Sequence, residues 1–206
     1  FGCGHTPLCE ELRRLWRQGV LVCVSAGNEG HAVLRGEEGD VEANLDLSIG
    51  DPANLDDCIA VGSVHKTNPH TYGVSYFSSR GPTADGRQKP DVVAPGERVL
   101  SALNSYEAML RARKRRKPGP GRAGEAAREL AARDCYEDYY VEMGGTSMAC
   151  PHVSGILAAY LSARREFIGY PERVKQILLE HCTTLERDPY TQGRGLPNLT
   201  KMLLNT

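Results

Sequence analysis

Two short apolar runs constrain this chain most: Val20-Leu21-Val22-Cys23-Val24-Ser25 and Cys58-Ile59-Ala60-Val61-Gly62-Ser63-Val64. Both are rich in β-branched residues and neither alternates apolar with polar. That is the pattern of a strand covered on both faces, as in a parallel sheet. The segment before the first run reads as a helix opened by a capping Thr6 and by Pro7 at the first helical position, with Glu10 and Glu11 in the first turn. Leu8, Leu12, Leu15 and Trp16 recur at helical spacing and are expected to face the core; Arg13, Arg14 and Arg17 come late, and Gly19 closes the helix. A helix followed by a buried strand is the α/β rhythm. At 206 residues the chain is one domain's worth and long enough for a real core.

The stretch that carries chemistry is Gly144-Gly145-Thr146-Ser147-Met148-Ala149-Cys150-Pro151-His152-Val153-Ser154-Gly155. Its glycines let the backbone approach another group closely. The residues beyond it, Val153, Ile156, Leu157, Ala158, Ala159, Tyr160 and Leu161, predict a helix buried on nearly every side. A serine at the mouth of such a helix is held rigidly where negative charge is favoured, which suits a nucleophile whose attack creates an oxyanion. The plainer reading is that Thr146 or Ser147 is only an N-cap. Asn28, just past the end of the first strand, has two readings as well. Its amide can donate to a developing oxyanion, or it can be a turn residue between Gly27 and Gly30.

Three blocks, in order, resemble the subtilisin-like serine proteases: Val22-Cys23-Val24-Ser25-Ala26-Gly27-Asn28-Glu29-Gly30; Phe77-Ser78-Ser79-Arg80-Gly81-Pro82-Thr83 with Lys89-Pro90-Asp91-Val92-Val93-Ala94-Pro95-Gly96; and the Gly-Thr-Ser-Met-Ala block above. The resemblance implies a three-layer α/β fold with a mostly parallel sheet, of which this chain supplies the C-terminal part, the N-terminal part being absent. It implies Ser147 as nucleophile, Asn28 as oxyanion-hole donor and Thr146 in support. Ser25, Ala26 and Gly27 would line one wall of the specificity pocket. Gly50, in Gly50-Asp51-Pro52-Ala53, would floor it and leave it open to a large apolar side chain. The family usually has a cis peptide before that proline, which Asp51-Pro52 is expected to share.

The same resemblance shows what is missing. A serine hydroxyl needs a base, and the base an orienting acid. In the family the aspartate and histidine precede the Asn28 block by a long distance, and neither motif is present here. His5 reads as a helix N-terminal residue. His152 lies five positions along the same helix as Ser147 and points away from it. The reading is therefore a serine endopeptidase acting on polypeptides, in a longer chain whose N-terminal half supplies aspartate and histidine, with these residues alone inactive. The alternative is a catalytically incomplete remnant that binds peptides.

Other segments read as follows. Residues 31–48 are polar and glycine-punctuated and are expected to form a surface loop or lid. Their acidic residues (Glu37, Glu38, Asp40, Glu42, Asp46) are a solvated face by default or a calcium site; no cofactor is otherwise required. Residues 65–76 read as a polar loop with surface histidines His65 and His70. Phe77 to Gly81 and Asp91 to Gly96 read as connections, and Val99 to Ala102 as a short strand. Residues 103–138 read as an inserted, partly helical excursion. Within it Arg111-Ala112-Arg113-Lys114-Arg115-Arg116-Lys117, six basic residues in seven, is a flexible arm or a phosphate-binding patch. No reading module accompanies it, so nucleic acid is not the expected partner. A net charge of -1 and the lack of a long apolar run give no sign of a membrane. Seven cysteines without metal spacing or a disulfide framework read as mostly buried thiols, which leans towards a reducing, intracellular compartment. Pro171 opens a further helix with Val174, Ile177, Leu178, His181 and Cys182 on one face, and Leu196 to Leu203 a short terminal one.

Overall fold

A computed structural model describes residues 3–36, 39–104 and 139–205. They fall into two compact units, Phe1–Glu97 with Gly144–Thr206, and Arg98–Met143. The second unit holds an antiparallel pair, Val99–Ala102 (β6) with Tyr140–Met143 (β7), joined by an exposed Arg98–Glu142 ion pair at 2.9 Å. The basic run and the expected helix of the excursion lie outside the described residues.

The first unit is built on a parallel sheet in the order β1 (Cys23–Ser25), β4 (Ile59–Val64), β5 (Val92–Pro95). β4 is buried along its whole length, as its lack of alternation requires. Ile59 and Val61 face one side of the sheet and Ala60 the other, following the two-residue period of a strand. The first side carries the main core: α3 (Thr146–Ala163), α4 (Pro171–Glu180) and α6 (Leu199–Leu204) contribute Ala149, Val153, Leu157, Tyr160, Val174, Ile177, Leu178 and Met202.

Several expectations change in three dimensions. In α1 (Pro7–Arg17) the buried residues are Cys9 and Trp16, whereas Leu8 and Leu15 are exposed. The helix is rotated so that Cys9 meets Leu55 and Cys58. α3 is buried along one stripe, Ala149, Val153, Leu157 and Tyr160, and His152, Ser154, Gly155, Ala158 and Ala159 are exposed. Asp91 to Gly96 is no mere connection: Val92–Pro95 is the third strand, its bonds closed by β4. Residues 31–48 do not form a loop. His31–Gly36 (β2) pairs antiparallel with Gly39–Asn44 (β3) in a hairpin. The 65–76 segment carries a short helix α2 (Pro69–Tyr72), and His65 accepts from the Asn68 N–H at 3.1 Å. Near the C-terminus Cys182–Thr183 (β8) pairs with Leu196–Pro197 (β9) after a short helix α5 (Pro189–Gln192). The terminal helix therefore begins only at Leu199, capped by the Asn198 side chain, which accepts from the Lys201 N–H at 3.0 Å. The Asp51–Pro52 peptide is cis as expected.

A buried charge cluster ties the sheet to α4. Lys89, 1% exposed, places Nζ 2.6 Å from Asp91 Oδ2, which also accepts the Ala60 N–H at 2.7 Å. Lys175 Nζ of α4 lies 3.1 Å from Asp91 Oδ1 and donates to the carbonyls of Asp56 and Cys58 at 2.8 and 2.7 Å. Burial lowers the Lys175 ammonium pKa, and Asp91 opposes that shift. Removing one partner of a buried cluster leaves the other charges uncompensated, at a cost of about 3–5 kcal/mol. Asp91→Asn should therefore lower the midpoint of thermal unfolding by about 6–20 °C, measured by circular dichroism; an unchanged midpoint would show that the two ammonium groups find other partners.

Candidate active site

The sequence places Asn28 and Thr146 in different blocks, and the fold joins them. Asn28 Oδ1 accepts the Thr146 backbone N–H at 2.9 Å and the Thr146 hydroxyl at 3.1 Å. The Thr146 hydroxyl accepts in turn the Gly27 N–H at 3.2 Å. A backbone N–H only donates, so the amide oxygen of Asn28 must face Thr146 and the Nδ2 donor must face away. Two glycines permit the approach. Gly27 has φ +104, and a Cβ there would lie 2.6 Å from Glu29 Oε2. Gly145 has φ +151, and a Cβ there would lie 3.5 Å from Asn28 Nδ2. Both backbones are costly for any residue with a Cβ.

Gly145 is the N-cap of α3, with no side-chain capping bond; Thr146 and Ser147 are the first two helical residues. The N-cap alternative for Thr146 and Ser147 is thus not what forms. Ser147 is exposed at the end of an 18-residue helix, where free N–H groups and the helix dipole favour an anion. Pro151 lies inside this helix and has no N–H to give the Ser147 carbonyl. His152 is bound to its own helix, Nδ1 to the Met148 carbonyl at 2.9 Å. Among the described residues no histidine or carboxylate hydrogen-bonds Ser147. Cys150 is a packed thiol: burial pushes its pKa to about 11, and Cys58 and Cys182 are each pushed to about 12 by the same cause.

The strand end carrying Ser25, Ala26 and Gly27 is pinned from three sides. The Ala26 N–H donates to the Val61 carbonyl at 2.9 Å, the Gly27 carbonyl accepts the Ser79 N–H at 2.9 Å, and Thr146 holds the Gly27 N–H. Ala26 packs against Ile49, Ala53 and Ala60, which brings the Gly50 turn beside this strand end. No atom lies within 4 Å of where a Gly50 Cβ would be, so the turn borders open space. Ser79 makes contacts here that the sequence did not reveal. Its hydroxyl accepts the Glu29 N–H at 3.0 Å and donates to Glu29 Oε2 at 3.1 Å, fixing the chain just beyond Asn28. Its only signal was its place in the Phe77–Thr83 block. Among the described residues no group of three or more His, Cys, Asp or Glu is placed to hold a metal ion, and no helix is long and apolar enough to cross a membrane.

The arrangement sets the exposed Asn28 amide, held through its oxygen by Thr146, beside the exposed Ser147 at a helix N-terminus. The family model for subtilases matches residues 4–195. The chain belongs to the subtilase family. It is 34% identical to pyrolysin of Pyrococcus furiosus over 90% of its own length and 12% of that protein's. It is 30% identical to the serine protease AprX of Bacillus subtilis over 93% of its length and 37% of that protein's. This subtilase chain therefore spans well under two thirds of these curated relatives. Among solved structures, the patellamide maturation protease PatA superposes with a TM-score of 0.59 at 26% identity, covering 98% of this chain and 57% of the other.

Thr146→Val should lower unfolding free energy by about 1–3 kcal/mol, because the Gly27 N–H loses its buried acceptor; urea denaturation measures it, and a change near zero would mean that water replaces the hydroxyl. At pH 8 Cys150 should react with iodoacetamide about 100-fold more slowly than a free thiol, since each pKa unit above the ordinary 9.0 cuts the thiolate tenfold. Mass spectrometry of the native protein reads this, and rapid alkylation would show an exposed thiolate.

Proposed function

We propose that this chain carries the nucleophile and the oxyanion hole of a serine endopeptidase. Family membership supports serine-protease chemistry in general. The observation that carries the specific reading is the Asn28–Thr146 link, which holds the Asn28 amide by its oxygen at the start of the helix that presents Ser147. Ser147 attacks the substrate carbonyl while the base takes its proton, giving a tetrahedral intermediate whose charged oxygen sits between Asn28 Nδ2 and the Ser147 N–H. Collapse of that intermediate breaks the C–N bond, the departing amine takes the proton from the base, and the acyl-enzyme on Ser147 remains. Thr146 acts through Asn28 as a positioning residue. Ser25, Ala26 and Gly27 wall the pocket for the residue before the scissile bond, and Gly50 leaves its floor open for a large apolar side chain. The base and its orienting acid come from the longer chain, as the family resemblance implies.

In the full natural protein Ser147→Ala should reduce kcat/KM on peptide substrates by at least about 10⁴-fold. Asn28→Ala should reduce kcat by about 10²–10³-fold, the range for loss of one such donor in subtilisin, with KM little changed. The 206-residue chain alone should react slowly with a serine-directed fluorophosphonate. Fast, stoichiometric labelling that Ser147→Ala abolishes would place a base within these residues. A full natural protein with no peptidase activity but measurable peptide affinity would favour the non-catalytic binding module instead.

A further inference from the structure

The 31–44 hairpin has two unlike faces, set by its register. Ala32, Leu34, Val41 and Ala43 share one face; His31, Val33, Arg35, Asp40, Glu42 and Asn44 share the other. His31, Glu42 and Asn44 of this second face, with the intervening Ala43 and with Tyr76, line a cleft of about 570 Å³. The base of the hairpin is clamped in place: the Gly30 N–H donates to the Phe77 carbonyl and the Leu45 N–H to the Gly30 carbonyl, both at 2.9 Å. Two edge-to-face contacts hold the Tyr76 ring, with His31 at 5.3 Å and 88° and with Phe77 at 5.4 Å and 80°. The ring nonetheless stays 65% exposed.

We infer that this cleft is a subsite for a cationic side chain, lysine or arginine, of the polypeptide substrate, bound within about three residues of the scissile bond. The inference rests on the proposed protease reading. Placement follows from chain length: three residues separate Asn28 from His31, at most about 10 Å of extended chain, and an extended substrate advances about 3.3 Å per residue. Selectivity follows from the lining. The cleft holds one carboxylate, Glu42, and no lysine or arginine, and among the described residues no cation pairs with it. An exposed aromatic ring and a carboxylate lining the same cleft attract a cation through the ring quadrupole and the carboxylate charge. Val33, paired directly with Glu42 and 50% exposed, offers apolar surface for the stem of a long cationic side chain.

The experiment compares internally quenched peptides carrying arginine, lysine, citrulline, leucine or glutamate at each of three positions on either side of the scissile bond, using the full natural protein. At one position arginine should exceed its neutral isostere citrulline by about 10-fold in kcat/KM. Glu42→Gln and Tyr76→Ala should each erode that preference, and Tyr76→Phe should keep it. No position with such a preference, a preference that survives both variants, or a better fit for leucine would overturn the proposal. If the protein cleaves no peptide, the protease reading fails separately. The cleft is then tested by fluorescence anisotropy with labelled arginine and citrulline peptides: about 10-fold tighter arginine binding, lost in Glu42→Gln, upholds it, and equal binding sinks it.

Discussion

The side chain of Asn28 is held by Thr146, and the arrangement of the candidate site depends on that contact. It joins a strand end to a helix start 118 residues later in sequence. The bond does two things at once. It satisfies one of the free N–H groups that every helix N-terminus exposes. It also fixes which way the Asn28 amide points. Were a water the acceptor of that N–H instead, the Asn28 amide could rotate and its Nδ2 would have no fixed direction. Gly27 and Gly145 serve this contact: each adopts a backbone that a Cβ would strain.

The contact is only as rigid as the elements behind it. β1 holds Asn28 through its parallel pairing with β4, and β4 is the fully buried centre of the sheet. Asp91, at the entry to β5, bonds the Ala60 N–H of β4 and draws in Lys89 and Lys175. Lys175 in turn bonds the carbonyls of Asp56 and Cys58 just before β4. Sheet, preceding loop and α4 are thereby tied at one end, while the apolar stripe of α3 packs across the same sheet and presents Ser147 at its start.

Much of this was legible. The unbroken apolar run of 58–64 requires a strand covered on both faces, and β4 is that strand. Glycines and Thr146 beside Ser147 marked the helix start, although the cap proved to be Gly145. Other features were hidden for physical reasons. Val92-Val93-Ala94-Pro95 is too short, and too hemmed by proline and glycine, to show strand periodicity; pairing with β4 makes it a strand. Residues 31–44 have low local propensity, and their register, which sets an apolar face against a polar one, exists only once the hairpin closes. Leu8 and Leu15 fit helical spacing as well as Cys9 does, and what decided the rotation of α1 was the place of Leu55 and Cys58 opposite it.

By itself, then, the sequence determined the α/β class and the family, and it singled out Ser147, Asn28 and Thr146 as the candidate site residues, because apolar patterning and local backbone requirements are written in neighbouring residues. Only the tertiary structure decided the direction of the Asn28 amide, the role of Ser79 beside Glu29, the partners of Lys89 and Lys175, and the cleft between the hairpin and Tyr76. Each of these joins groups far apart in the chain, and a contact of that kind depends on packing and orientation that no local pattern encodes.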